Sequence, residues 1–394
     1  MRPIRQARAM ADFGVLHEGI NAGGGAEAVG LHTVSALADA GHEVTLYTTG
    51  EPDLRTLADD YDLDFPAEVR VRSVRTPAIS AVNHAATLAR PLGVTDFPLL
   101  RTAVFERVVA RRYRPDHDRL VCTHGEFQVD GAVEYVHFPY FSADAMRRYD
   151  TRFAESLYPA YHRVCRTVKR RESDAETLTL TNSAWTADVL HETLGTDATV
   201  VHPPVAVDAF DPPTWTEQES GFVAVGRLHP LKRQDELVEV VAGLRERGID
   251  THLHLVGSDG SAEYADRLRA QAREFDWLHV EGRVARDRLV SLLERHRYAI
   301  HGRRYEHFGI AVAEALAAGC LPFVHASGGQ QEVVAGIDAL RYEDVPSAVT
   351  TTASVLDSSE TQASLRDRLD GRAAQYSRDR FERAMREAVE STLR

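Results

Sequence analysis

The sequence predicts an α/β protein in which two doubly wound, Rossmann-like parallel-sheet domains follow one another along the chain. Three observations carry that prediction. Short apolar runs alternate with helical segments over most of the length, the pattern of successive βαβ units. The alternation breaks at "HPPVAVDAFDPPTWTEQES" (202–220), which holds four prolines and no helical period, and then restarts. With 394 residues the chain also exceeds what one hydrophobic core usually fills.

Taken in order, "DFGVLHEG" (12–19) reads as a strand, "GAEAVGLHTVSALADAG" (25–41) as a helix and "HEVTLYTT" (42–49) as a strand. Further strands are expected at "RLVCTHG" (119–125), "AVEYVHF" (132–138), "TLTLTN" (177–182) and "TVVHPP" (199–204), with a helix at "AWTADVLHETLG" (184–195). Beyond the prolines, strands at 221–227, 251–257, 278–282, 298–302 and 321–326 alternate with helices near 233–247, 261–275, 286–296 and 310–318. The expected organisation is a first domain over 10–202, a linker over 203–220, a second domain over 221–359, and C-terminal helices over 360–394 that pack back onto the first domain. Ligands of such folds lie at the carboxyl ends of the strands, and a cleft between two domains is the natural site.

Composition narrows the function classes. Hydrophobic residues at 43% and charged residues at 27% describe an ordinary globular chain. No run of 18 apolar residues is present, so no span across a bilayer is expected. The first nine residues carry Arg2, Arg5 and Arg8 without a following apolar segment, which argues against a secretory signal, and Met10 stands as an alternative start. A cytoplasmic location is expected, with peripheral attachment at the inner membrane face as a variant. The net charge of −13 argues against nucleic acid as a partner. Cys122, Cys165 and Cys320 are widely spaced and read as buried free thiols. Among 46 basic residues only Lys169 and Lys232 are lysine.

Three motifs point to chemistry. In "YEHFGIAVAEALAAGC" (305–320), Gly309 allows a tight entry into a helix, so the amides around Phe308 to Ala311 are unpaired donors suited to an anion. Glu306 on the loop and Glu314 on the helix flank them and accept from hydroxyls, a layout matching the hexose, diphosphate and ribose of a nucleotide sugar. In "GRLHPLKRQDE" (226–236), Arg227 and Lys232 reach over a strand end toward an anion. In "NAGGGAE" (21–27), Gly23, Gly24 and Gly25 permit close backbone approach to a phosphate or sugar, although neither a dinucleotide fingerprint nor a P-loop is formed.

Together and in this order the motifs resemble glycosyltransferase family 4, the retaining enzymes of GT-B fold. The resemblance runs through "YVHFP" (135–139), "NSAWT" (182–186), "VHPP" (201–204) and "SGGQQEVV" (327–334), and its wording is nearest the branch containing the dolichyl-linked α-1,2-mannosyltransferases. It implies a hexosyltransferase using GDP- or UDP-hexose, with mannose one candidate sugar, on a glycan or lipid-linked acceptor, without cofactor or metal. Arg227 and Lys232 would neutralise the leaving diphosphate. Glu306 and the amides of His307, Phe308, Gly309 and Ile310 would grip the donor sugar, and Glu314 would accept from the ribose. Gly282, Arg283 and Val284 would line the base, His137 would face sugar and acceptor, and Gly24 and Gly25 would close on the diphosphate. An epimerase of nucleotide sugars, with Glu306 and either Glu126 or Glu134 as acid/base carboxylates, and a non-catalytic binding protein are the alternatives.

Several features lie outside these motifs. "DLD" (62–64) and "DHD" (116–118) suit turns or caps better than a metal, and His252 and His254 in "THLHL" read as a structural pair because no third ligand is adjacent in sequence. Segment 87–115 sets Leu100, Val104, Phe105, Val108 and Val109 on one helical stripe among arginines, and 147–171 is similarly basic. Both suit either an anionic membrane or a core-facing helix with a solvated arginine face.

Overall fold

The computed structural model describes residues 10–22, 24–61, 63, 65, 69–89, 97–127, 129–150, 158–169 and 176–393. Two units make up the chain: residues up to Asn182 with Thr186–Pro204 and Asp379–Arg394, and Ser183–Trp185 with Val205–Arg378.

The first unit is built on a seven-stranded sheet of β1 (Asp12–Leu16), β2 (Glu43–Thr48), β3 (Arg70–Ser73), β4 (Arg119–Cys122), β5 (Val133–Val136), β6 (Leu178–Thr181) and β7 (Thr199–Val200). The order is β3-β2-β1-β4-β5-β6-β7 with every pair parallel, and Val15 sits between Leu46 and Val121. The central strands are apolar on both faces, as helices on each side require. Those helices are α1 (Gly25–Asp39), α2 (Leu54–Tyr61), α3 (Pro77–Ala89), α4 (Pro98–Tyr113), α5 (Ala143–Tyr149), α6 (Tyr158–Lys169) and α7 (Ala184–Leu194). Strand β3, "RVRS", had no apolar run to announce it. It is an edge strand whose Arg70 pairs with Glu43 on β2, a charged edge of the kind that discourages further pairing.

In the second unit the order is β10-β9-β8-β11-β12-β13, again all parallel, for β8 (Glu219–Val225), β9 (Leu253–Val256), β10 (Leu278–Gly282), β11 (His296–His301), β12 (Leu321–His325) and β13 (Arg341–Tyr342). It carries α8 (Gln234–Glu246), α9 (Ala262–Glu274), α10 (Arg286–Arg295), α11 (Ile310–Ala317), α12 (Gln330–Val333), α13 (Val345–Leu356) and α14 (Ser359–Leu369). Phe222, Leu253, Leu255, Tyr298, Ile300 and Phe323 fill one continuous core with α8 and α13.

Two sequence boundaries shift. Strand β8 begins at Glu219, inside the expected linker, and Trp215 is fixed to the second unit by an edge contact with Tyr298 at 5.8 Å. Of the C-terminal helices, α14 stays with the second unit, while α15 (Arg378–Ser391) places Phe381, Met385 and Val389 in the core of the first.

The apolar stripe of α4 is largely turned inward. Phe105 and Val109 are buried against Leu16, Tyr47 and Cys122, with Val104 and Val108 packed alongside. Several of the surrounding cations are engaged: Arg101 with Glu18 at 2.6 Å, Arg107 with the Val168 carbonyl at 3.0 Å, and Lys169 with Glu106. The apolar stripe of α4 is therefore core-facing, whereas residues 90–96, 151–157 and 170–171 of the two basic segments lie outside the described residues. So do Asp62 and Asp64 of "DLD" and Gly23 of the glycine run.

Candidate active site

A doubly wound sheet opens a crevice where its strand order reverses. In the second unit that point falls between β8 and β11, and the carboxyl ends of these two strands lead into Gly226-Arg227 and His301-Gly302. A 3-10 turn, Pro230–Lys232, folds over the crevice. It comes so close that a Cβ at Gly302 would lie 2.8 Å from the Lys232 carbonyl oxygen, which only glycine avoids.

Lys232 thereby delivers its Nζ to Glu306 Oε2 at 2.6 Å. The same oxygen accepts from His301 Nε2 at 3.1 Å, and Arg303 stands 3.6 Å from Oε1. Burial alone would push the Glu306 carboxyl up; Arg303, Lys232 and His301 outweigh it and hold the group well below the usual carboxylate range. Burial lowers the pKa of Lys232, opposed chiefly by Glu306. The result is a fixed carboxylate with a cation beside it on a half-open rim. Arg227 is exposed nearby, and its guanidinium makes no ion pair or hydrogen bond among the described residues.

The loop bearing Glu306 is held from behind. Tyr305 adopts a left-handed φ of 52°, its amide donates to Ser327 Oγ at 2.9 Å, and Gly329 N donates to the Glu306 carbonyl at 2.8 Å. Gln330 Nε2 donates to the carbonyls of Arg303, His325 and Ser327. The "SGGQQEVV" stretch is thus a clamp that positions the carboxylate. Gly309, with φ of 98°, is the N-cap of α11, and no side chain caps the amides that open the helix. Phe308 is buried edge-on against Tyr376 at 5.1 Å, so it anchors the turn rather than facing a ligand. Glu314 Oε1 accepts from Arg286 Nη1 at 2.5 Å, an ion pair that a ribose would have to share. Gly282, Arg283 and Val284 follow the carboxyl end of β10, where the Gly282 carbonyl accepts from Gly257 N at 2.8 Å.

The first unit has its own switch point, between β1 and β4. There His17 Nδ1 meets Thr123 Oγ1 at 2.9 Å, and His137 Nε2 donates to the Thr123 carbonyl at 3.0 Å. His124 packs edge-on to His17 at 5.1 Å. Burial lowers His124 and His137 to about 4 and holds His17 well below the usual histidine range, so all three imidazoles are neutral. His17 Nε2 and His124 Nδ1 are buried without a hydrogen-bond partner among the described residues. Gly24 is the N-cap of α1 and both donates to and accepts from the Tyr61 hydroxyl, at 2.8 and 3.1 Å; Gly25 begins the helix.

Within the second unit, then, Arg227, Lys232, Glu306, the 307–310 turn, Glu314 and the 282–284 segment share one edge of the sheet. His137, Gly24 and Gly25 belong to the first unit. Sequence reasoning missed His301, Arg303 and Arg286, which hold the two carboxylates, and His17 and His124. His17 and His301 each stand at the end of an apolar run, and that position was the available signal. Of the carboxylates named for an epimerase beside Glu306, both are otherwise engaged: Glu134 accepts from Phe127 N and Thr179 Oγ1, Glu126 from Phe141 N, all buried. The reading of His252 and His254 as a pair without a third ligand is corrected, because His296 completes a cluster with them.

Two sheets of this order, each with an open carboxyl edge at its switch point, define the GT-B glycosyltransferase fold. Sucrose-phosphate synthase from Thermosynechococcus elongatus shares it with a TM-score of 0.69 at 15% identity, over 97% of this chain and 98% of that one. HepE from Anabaena, solved with UDP and glucose, gives 0.65 at 14% identity, over 97% and 100%. At such identities the likeness is one of fold. Residues 208–368 match the family model described as glycosyl transferases group 1. The curated "GDP-Man:Man(3)GlcNAc(2)-PP-Dol alpha-1,2-mannosyltransferase" of Dictyostelium discoideum is 26% identical over 247 residues, 53% of this chain and 48% of the relative. Its Caenorhabditis elegans namesake is 25% identical over 237 residues, 52% and 50%. The chain spans about half the length of these relatives. The group 1 domain over residues 208–368, the mannosyltransferase relatives and the fold together support a glycosyltransferase of the GT4 type.

Proposed function

We propose that the protein is a retaining hexosyltransferase that takes a nucleoside-diphosphate hexose, GDP-mannose in the first instance, and transfers the sugar to a glycan or lipid-linked acceptor. The observation that carries this reading is the Lys232–Glu306–His301 cluster beside the glycine-capped start of α11. A carboxylate held ionised accepts from sugar hydroxyls, while the adjacent ammonium, Arg227 and the amides that open α11 receive the diphosphate. As the glycosidic bond to the diphosphate breaks, negative charge builds on the leaving oxygen, and groups already aimed there stabilise it without reorganising. These cations supply the neutralisation that a divalent metal provides in other transferases, so metal-independent turnover is expected. Retention follows if the acceptor attacks the face the diphosphate leaves, with positioning doing the rest.

GDP-mannose is favoured by the names of the relatives, and a UDP-hexose is the second reading, since the HepE structure carries UDP. The first-unit residues Gly24, Gly25 and His137 are assigned to the diphosphate and the acceptor side. Contact with an anionic membrane rests on the exposed Arg111, Arg112 and Arg166. No helix among the described residues is long and apolar enough to cross a membrane.

The test is thermal stabilisation by GDP, UDP and ADP in the presence of EDTA, followed by nucleoside-diphosphate release from the matching sugar nucleotide. Stabilisation by one diphosphate with acceptor-dependent release supports the proposal. A second nucleotide sugar as product, or no diphosphate binding, removes it.

A further inference from the structure

Parallel pairing brings three histidines together at the other edge of the second sheet. His296 opens β11, His254 lies on β9, and His252 immediately precedes β9; Glu219 opens β8 between them. A ring nitrogen from each imidazole lies within 4.8 Å of the others, with His252 Nε2 and His296 Nε2 only 2.9 Å apart. Because β11 runs from His296 to His301, this edge is roughly 16 Å from the Glu306 cluster at about 3.3 Å per residue.

The surroundings are built for lone pairs that converge. His296 Nδ1 donates to the Leu292 carbonyl at 2.6 Å, which leaves its Nε2 as the acceptor. His254 Nδ1 donates to Glu281 Oε1 at 2.8 Å, and Arg288 holds that carboxylate in turn at 3.2 Å. A carboxylate behind a ligand imidazole is the usual orienting partner in metal sites. Glu219 Oε2 stands 3.6 Å from His252 Nε2 and 3.8 Å from His296 Nε2, with Arg295 on its other oxygen at 3.1 Å. Strand β8 runs between β9 and β11, and it is glycine at 221 that lets the His252 ring cross it: a Cβ there would lie 2.3 Å from Nε2. Burial also keeps the imidazoles neutral, the ligand form, with His254 lowered to about 4 and His296 to about 3.

We propose that His252, His254 and His296, with Glu219 as fourth ligand, bind a divalent transition metal of the zinc class that ties β8, β9 and β11 together at their amino-terminal edge. Three imidazoles and a carboxylate suit Zn²⁺ and discriminate against Mg²⁺, which prefers oxygen. At about 2.0–2.1 Å per Zn–N bond, tetrahedral ligands stand about 3.3 Å apart, so the pair at 2.9 Å needs to open by only about 0.4 Å. The site is structural, remote from the donor edge, and independent of the transferase reading.

The experiment uses the whole chain, stripped with chelator and titrated with Zn²⁺, Co²⁺ or Mg²⁺. One tight equivalent of Zn²⁺, a raised Tm, and the intense visible absorption of tetrahedral Co²⁺ are expected, with no response to Mg²⁺. His252→Asn and Gly221→Ala should each abolish the Co²⁺ spectrum, and Glu281→Gln should weaken Zn²⁺ about 10–100-fold by freeing the His254 ring. Circular dichroism and stabilisation by the donor diphosphate show whether each variant is folded; if His252→Asn is not, Gly221→Ala and Glu281→Gln decide. Absence of a stoichiometric site, or a Co²⁺ spectrum unchanged in the folded variants, overturns the proposal, whatever the outcome with nucleotides.

Discussion

On the proposed function, replacing Lys232 by Met takes the same cation from Glu306 and from the leaving diphosphate, and the two effects can be separated. Truncating one partner of a buried ion pair destabilises by about 3–5 kcal/mol when the other charge is left alone. Here the Lys232 side chain is 20% exposed and Glu306 retains His301 and Arg303, so a loss of about 1–3 kcal/mol in unfolding free energy is expected. Loss of one preorganised group at the developing charge lowers turnover about 100–1,000-fold, or about 3–4 kcal/mol. These energies overlap, so the single variant cannot assign the role. The double variant Lys232→Met with Glu306→Gln discharges the carboxylate that has lost its nearest cation, and it should regain part of the lost stability while kcat/KM stays low. Urea unfolding and nucleoside-diphosphate release on the same preparations give both numbers. Wild-type kcat/KM in the single variant would refute the reasoning, as would recovery of activity together with stability in the double one.

The remaining expectations are simpler. The buried Glu126 carboxyl is pushed up by desolvation from 4.5 to about 7, so the folded state holds its proton more tightly than the unfolded state. Its contribution is therefore complete below about pH 4.5 and declines as pH rises toward and through 7, by up to about 3 kcal/mol. Urea unfolding between pH 5 and 8 should show this decline in the wild type and a flatter profile in Glu126→Gln. Gly309→Ala forces a side chain into φ of 98°, at about 1–2 kcal/mol, and should raise the donor KM more than it lowers Tm; an unchanged KM would take the α11 amides out of the site. Arg111→Ser with Arg112→Ser should weaken sedimentation with anionic vesicles if these exposed cations touch membrane, and equal sedimentation would leave them as solvated surface.

Much of the architecture was legible because buried parallel strands are continuous apolar runs, and runs such as "FVAV" in β8 and "AIH" in β11 need no partner to be recognised. The edge strand β3 was not, since two of its four residues are arginines facing outward and its identity comes only from pairing with β2. Periodicity found α4 but could not say whether core or lipid covered its stripe. Arg227, Lys232, Glu306 and Glu314 announced themselves by their place at strand ends and by glycines. Their supporting groups did not, because Arg286 reaches Glu314 from 28 residues away through sheet order. The same holds for His296, which lies 44 residues from His252 and meets it only through the register of three strands.

Helix α15 aside, the first unit is encoded early in the chain, yet it is completed late. His32 bonds Glu382 at 2.7 Å, His42 meets Glu390 at 3.3 Å, and Arg119 donates to the Thr392 carbonyl, while Phe381, Met385 and Val389 fill the same core. During synthesis the N-terminal sheet therefore emerges with an apolar face uncovered and waits through the translation of the entire second unit for the helix that covers it. A nascent chain in that state exposes the surface on which chaperones act, and the second unit can finish folding before the first. The last helix to be made is the one that closes the core begun by the first strand.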